Sequence, residues 1–194
     1  NNMRQEYNLS MSGGNDQSSY YFSFGFLGDE GVVDGSGFTR ISGRLKGDHK
    51  VNDWLKVGAN INLNNIESNY PGEQTSTSSS GNAFFVANFI APVYPLYVRD
   101  AETKQIALNN GRKVYDYGDG LSTNADRSFM AIANPAADLL YNKTDYVMDI
   151  VNTTWYAEIS PIQGLKINAR YGYNIDNTKY SDLGNAYMGQ SASY

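Results

Sequence analysis

The stretch YYFSFGFLGDEG, residues 20–31, decides how the rest of this chain is read. In extended backbone, successive side chains point to opposite faces. Tyr20, Phe22, Phe24 and Phe26 therefore fall on one side, and Tyr21, Ser23, Gly25 and Leu27 on the other. A row of aromatics backed by small and polar residues is a strand with one apolar face. Whether that face meets a protein core, a ligand or lipid depends on the remaining sequence.

The same period recurs. Residues 4–12 set Tyr7, Leu9 and Met11 against Glu6, Asn8 and Ser10, and residues 38–48 set Ile41 and Leu45 against Arg40, Arg44 and Lys46. Residues 54–65 set Leu55, Val57, Ala59, Ile61 and Leu63 against Lys56, Asn60, Asn62 and Asn64. Residues 165–174 set Leu165, Ile167, Ala169, Tyr171 and Tyr173 against Lys166, Asn168 and Arg170. No Lys, Arg, Asp or Glu falls on the apolar face of these five segments. A sixth segment, residues 146–159, mixes parities: Met148 and Ile150 share one, Val151, Trp155, Ala157 and Ile159 the other. A β-bulge near residues 149–152 would reconcile its halves.

The connections run short, long, short, long, short: residues 13–18, 28–37, 49–53, 66–144 and 160–164. Successive antiparallel strands reverse direction, so the three short turns gather at one end of the sheet and the long loops at the other. Short turns at one end and long loops at the other are the pattern of outer-membrane barrels, and a tilted spanning strand needs roughly 9–11 residues. Tyr20, Trp54, Tyr171 and Tyr173, near strand ends, fit interfacial girdles. A soluble sandwich would segregate its strand faces in the same way.

Composition excludes several classes. The chain has 194 residues, a formal charge of -5, no Cys, one His and 16 Tyr. No disulfide framework or Cys-bearing metal site can form. The acidic balance, without a Lys/Arg cluster, argues against nucleic acid as a partner. Mean hydropathy is negative and no long apolar run is present, which excludes a transmembrane helix and leaves a β-barrel open. The start NNMRQEYNLS has no secretory signal pattern, and Asn1 is not an initiator, so the chain is expected to be a piece of something longer.

The long insert begins with the polar YPGEQTSTSSSG of residues 70–81. A short helix is expected in AFFVANFIAP, residues 83–92, and a second after Asn134-Pro135. Its tyrosines amid Asp and Asn, namely Tyr94, Tyr97, Tyr115 and Tyr117 with Asp116, are candidates for ligand or lid contact. Catalytic chemistry finds little support. His49 is the single imidazole and lies in a turn, and the Asp116 and Asp119 carboxylates read as turn chemistry, so no enzyme is expected. The run DYGDGLSTNAD has some likeness to a calcium loop but lacks the order of an EF-hand and its terminal Glu. No other cofactor is expected.

Residues 7–62, YNLSMSGGNDQSSYYFSFGFLGDEGVVDGSGFTRISGRLKGDHKVNDWLKVGANIN, resemble the early barrel of SusC/RagA-type TonB-dependent outer-membrane receptors. The likeness lies in the YN-hydrophobic-S-hydrophobic-SGG turn, the YYxSxGYLxxEG strand, the FxRxxxRL strand and the VxDWLKxGxN turn and strand. Phe26 stands where Tyr is usual, and Gly47 where Asn often is. APVYPLYVRD resembles the family's Pro-aromatic-Pro loop segment, and WYAEISPIQGLKINARYGYN its next hairpin.

The resemblance implies an all-β fold: about six antiparallel strands of a plugged transmembrane β-barrel of roughly 22 strands. Residues 1–66 would hold four barrel strands, 67–143 a long extracellular loop, 144–177 a barrel hairpin and 178–194 the start of the next loop. It implies import of oligosaccharides (glycans) or peptides across the outer membrane of a Bacteroidetes-like Gram-negative bacterium. The implied partners are a SusD-like lipoprotein and TonB, the latter engaged through a plug region that nothing here matches. In that frame Phe22, Phe24, Phe26, Ile61, Leu63 and Ile167 face lipid, and Arg40, Arg44, Lys46, Lys56, Asn60 and Arg170 face the lumen. Two other readings stay open at this point: a passive porin-like channel, and a soluble all-β carbohydrate-binding module.

Overall fold

A computed structural model describes residues 3–70, 82–118 and 133–184. In chain order the elements are β1 (Arg4–Gly14), β2 (Ser18–Glu30), β3 (Gly37–Lys50), β4 (Leu55–Tyr70), α1 (Ala83–Phe89), β5 (Leu108–Asn109), β6 (Arg112–Lys113), α2 (Pro135–Tyr141), β7 (Lys143–Ile162) and β8 (Leu165–Leu183). Six strands form one sheet in the order β1-β2-β3-β4-β7-β8, so every strand pairs with its neighbour in the chain apart from the insert between β4 and β7. The chain divides into two compact units. The sheet unit comprises Asn1–Val32, Ser36–Ser68 and Asp145–Tyr180; the insert unit comprises Val33–Gly35, Asn69–Thr144 and Ser181–Tyr194.

The register keeps the aromatic row together. Phe22, Phe24 and Phe26 face Met11, Leu9 and Tyr7 across β1, and Leu45, Gly43 and Ile41 across β3. The Tyr7 and Phe26 rings lie 6.1 Å apart. Because the side-chain period is two, this one register places Tyr7, Leu9, Met11, Phe22, Phe24, Phe26, Ile41 and Leu45 on a single face.

Each short turn is fixed by local chemistry. Asn15 Oδ1 accepts from the N–H groups of Gln17 (3.0 Å) and Ser18 (2.8 Å), and Asn52 Oδ1 accepts from those of Trp54 (3.1 Å) and Leu55 (2.8 Å). Gly164, at φ 88°, takes a left-handed conformation that a Cβ would strain. The Lys50 N–H donates to the Gln17 carbonyl and the Ser160 N–H to the Trp54 carbonyl, each at 2.7 Å, so the turns line one end of the sheet.

The expected bulge in β7 is absent. Asn65 bonds Asp149 through their side chains, and the Tyr156 ring covers Gly58, where a Cβ would collide with it. The spacing from Gly58 to Asn65 equals that from Asp149 to Tyr156. No residue is inserted, and the Trp54–Ser160 backbone bond continues the same register. The mixed parity has a simpler cause: Met148 and Ile150 are apolar residues on the face that carries Tyr156 and Glu158.

Several strands also run farther than their alternation. β4 reaches Tyr70 and β8 reaches Leu183, beyond the boundaries at residues 66 and 177 expected from the sequence. Outside the apolar band both faces are polar, as in Asp176, Asn177, Thr178 and Lys179. Pairing there rests on backbone hydrogen bonds and on cross-strand contacts such as the Tyr146–Tyr180 rings, 4.9 Å apart, and the Thr144 hydroxyl donating to Asp182 (2.9 Å), which leave no trace in hydrophobic period.

The sheet contributes nothing to a conventional core. The buried apolar residues among those described, Val86, Tyr117, Ala133 and Ala137, all belong to the insert. On the sheet's apolar face Tyr7, Leu9 and Met11 are about 60% exposed. A soluble sandwich would cover that face with a second sheet, and the described residues supply none.

Candidate functional site

The two faces of the sheet differ in chemistry. Opposite the aromatic row, Arg44 Nε donates to Asn60 Oδ1 (2.9 Å), Lys166 Nζ meets Glu158 (2.7 Å) and Ser19 Oγ donates to Asp48 (3.1 Å). The fixed alternation within each strand puts Arg40, Lys46, Lys56 and Arg170 on this polar face as well. Gly25 lies there too, where a Cβ would press on Ser42 Oγ and Asn8 Oδ1 from the flanking strands. Ile61, Leu63 and Ile167 share the other face with Phe22, Phe24 and Phe26. The sheet thus separates an apolar surface from a hydrogen-bonded polar one.

The insert has its own packed centre. The Val98 N–H donates to the Val114 carbonyl, that of Ala107 to Val98 and that of Val114 to Ala107, so three short extended segments lie side by side next to the β5–β6 pair. Asn134 ties this platform to α2. Its Nδ2 donates to the carbonyls of Leu96 (2.9 Å) and Asp116 (2.8 Å), while its Oδ1 accepts the Ala137 N–H (3.2 Å) and so caps the helix. Pro135 follows at the first helical position, where its missing N–H costs nothing.

The candidate contact residues separate by burial. Tyr97 and Tyr115 form a β-bridge with ring centroids 4.9 Å apart, and Tyr141 meets Tyr115 edge-on at 6.0 Å. Lys113 Nζ sits 5.0 Å from the centroid of the Tyr97 ring. Burial raises the Tyr115 hydroxyl pKa above its ordinary value, with Tyr97 and Tyr141 adding to the rise. Tyr94 is exposed. Tyr117 and Asp116 are 1% and 4% exposed, so they pack the interior of the insert and present no surface. Turn chemistry accounts for Asp116, whose Oδ1 accepts the Gly118 N–H at 2.8 Å. Sequence reasoning missed Lys113 and Tyr141; the Asn-Pro helix start was the signal that would have brought Tyr141 to this platform.

Among the described residues no group of three or more His, Cys, Asp or Glu is placed to hold a metal ion, and Asp119 lies outside them. His49 Nδ1 lies 2.8 Å from Ser18 Oγ, while neighbouring Asp48 accepts from Ser19 on the opposite face, so the three do not align as a nucleophilic triad.

Asp138 is the insert's perturbed acid. Burial pushes its carboxyl up to about 6, against the lowering effect of the Asn134 N–H. The folded value lies above the unfolded one of 3.8. Its charge therefore costs stability above pH ~6, a cost relieved as pH falls and gone below the unfolded value; the full effect is about 3 kcal/mol. The insert is expected to gain about 1–2 kcal/mol from pH 8 to pH 5, and Asp138→Asn to flatten that gain. Hydrogen exchange of the α2 amides, corrected for intrinsic rates, measures it; an unchanged slope in the variant would count against this assignment.

Comparison with known proteins places this geometry. No family profile matches the chain. TonB-dependent receptor P39 of Formosa agariphila is 36% identical over 59 residues, covering 30% of this chain and 6% of that protein. TonB-dependent receptor P26 of the same organism is 25% identical over 171 residues, covering 88% of this chain and 14% of that one. Among solved structures, the RagAB peptide importer in its closed-closed state superposes with a TM-score of 0.59 at 24% identity, over 96% of this chain and 19% of the other. A second RagAB peptide transporter structure gives 0.58 at 26% identity, over 92% and 18%. The chain thus spans less than a fifth of the length of each of these relatives. Alignments to such receptors run along most of the chain, and the uninterrupted antiparallel sheet with one apolar face is the wall of their barrel. Over most of its length the chain is similar to a partial stretch of the barrel of TonB-dependent receptors of the SusC/RagA type.

Proposed function

We propose that this chain forms part of the wall of an energised outer-membrane importer, with the residue 71–142 insert on the extracellular side. The observation that carries the reading is the sheet itself: six strands in chain order, an apolar face that none of the described residues covers, and a polar face rich in hydrogen bonds. Phe22, Phe24, Phe26, Ile61, Leu63 and Ile167 face lipid. Arg40, Arg44, Lys46, Lys56, Asn60 and Arg170 face the lumen and plug. The remaining strands, the plug and the segment that engages TonB belong to the parent receptor.

The cargo is a peptide or an oligosaccharide, and a SusD-like surface lipoprotein closes over the barrel. Peptide transport by the RagAB relatives supports the first cargo class. The partly exposed Tyr97–Tyr115 pair with Lys113 offers aromatic faces and a cation, which suit either cargo. Outer membranes from the native source, extracted with detergent, are expected to yield a large parent of this chain with a lipoprotein bound, both identifiable by mass spectrometry. A parent recovered in the aqueous fraction without detergent would overturn the barrel assignment.

A further inference from the structure

One buried acceptor on the polar face has no donor. Asp48 Oδ2 accepts from Ser19 Oγ (3.1 Å) and lies 3.8 Å from Lys46 Nζ, whereas Oδ1 is buried and receives no hydrogen bond among the described residues. An unsatisfied carboxylate oxygen is costly away from water, so the atom calls for a partner. Asp48 lines a recess of about 360 Å³ at the short-turn end of the sheet. A single bridging water takes about 30 Å³ and leaves most of that space empty. The walls set the chemistry of what fills it. Among the described residues they carry the carboxylates of Asp16, Asp48, Asp53 and Glu158 against the ammonium groups of Lys50 and Lys56. Asp53 holds Lys50 and Lys166 holds Glu158, each at 2.7 Å, which leaves Asp16 and the orphaned Asp48 oxygen against Lys56. Trp54, of the same parity as Lys56 and Asn60, lines this polar recess and not the apolar girdle, and is 49% exposed.

We propose that this recess is a socket for one arginine side chain that the plug of the parent receptor presents from inside the barrel, with its guanidinium on Asp48 Oδ1 and its plane against Trp54. The inference rests on the lumen-facing assignment of this face above. The excess of carboxylates disfavours an anion, and no three acids converge on a metal ion among the described residues. A guanidinium is planar, weakly hydrated and carries five donors in a fixed fork, so it stacks on an indole while it serves a carboxylate; an ammonium is a compact, strongly hydrated point charge. Lys56 makes no ion pair among the described residues and leaves Oδ1 unsatisfied.

The test uses the full parent receptor in its own outer membrane, with the photo-crosslinker benzoylphenylalanine in place of Gln17, an exposed residue that also lines the recess. Mass spectrometry of the cross-linked product is expected to return an arginine-bearing peptide of the plug. Hydrogen exchange then reads how firmly that peptide is held. Asp48→Ala is expected to speed exchange of its amides about tenfold, and Trp54→Ala, which keeps the carboxylate, about threefold. Asp48→Arg combined with the reverse charge change at the identified arginine is expected to restore the slow exchange that either single change loses. A cross-link that stays within the strands or reaches another protein overturns the proposal. So does exchange of the plug peptide that neither Asp48→Ala nor Trp54→Ala alters. Heat-modifiable migration and detergent dependence report the barrel separately, so an assembled receptor with an empty recess sinks only the socket.

Discussion

Replacing Phe24 by Arg is expected to lower the amount of assembled receptor in the outer membrane more than any other single change in the sheet. Phe24 sits at the middle of β2, between Leu9 and Gly43, and is 41% exposed on the apolar face. Arg or Lys on the lipid side of a barrel costs about 2–4 kcal/mol at the bilayer midplane and about 0–1 near the interfaces. Gly43 and the apolar outward residues nearby, Leu9, Phe22, Phe26, Ile41 and Leu45, offer the guanidinium no side-chain acceptor, so the penalty is not relieved locally. On the opposite face, Ser10→Arg is expected to change assembly little, because its neighbours are hydrogen-bonded polar groups. The heat-modifiable fraction on gels and the urea midpoint in detergent micelles compare the two variants. Equal behaviour of Phe24→Arg and Ser10→Arg would mean that the faces have been assigned the wrong way round.

That experiment tests the part of the molecule most legible in the sequence. The alternation in residues 20–27 fixes the faces of β2, and the same period fixes those of β1, β3, β4 and β8, because one side chain in two must meet an apolar medium. Where that demand is absent, the sequence falls silent. The upper ends of β4 and β8 carry polar residues on both sides, so their extension to Tyr70 and Leu183 follows from cross-strand pairing that leaves no hydrophobic period. β7 misleads for the opposite reason, since Met148 and Ile150 are apolar residues on the polar face and mimic a shift of register. The candidate site is less legible still. Tyr97 and Tyr115 are far apart in the chain and meet through backbone bridges, and Tyr117 is as aromatic as either of them yet buried. Composition marks the insert as rich in tyrosine, but the partition between surface and interior comes from three short segments and a helix cap.

Removing that cap by Asn134→Ala is expected to loosen the insert by about 2–4 kcal/mol while leaving the barrel assembled. Asn134 is 2% exposed, and three of its bonds serve three different segments: the first turn of α2, the Leu96 carbonyl and the Asp116 carbonyl. Loss of a helix cap alone costs about 1 kcal/mol, and leaving buried carbonyls without their donor adds about 1–3. The two parts can be separated. Asn134→Ser keeps an oxygen for the Ala137 N–H but cannot reach both carbonyls, so it is expected to recover the cap and not the bridge. Hydrogen exchange then divides accordingly: α2 amides are protected again in the Ser variant, while those near Leu96 and Asp116 stay fast in both. The Tyr97–Tyr115 pair is built on those two segments, so its alignment should fail with them. If the pair contributes to cargo or lid contact, transport falls in both variants at unchanged receptor level; transport equal to wild type with a loosened insert would remove this surface from the mechanism.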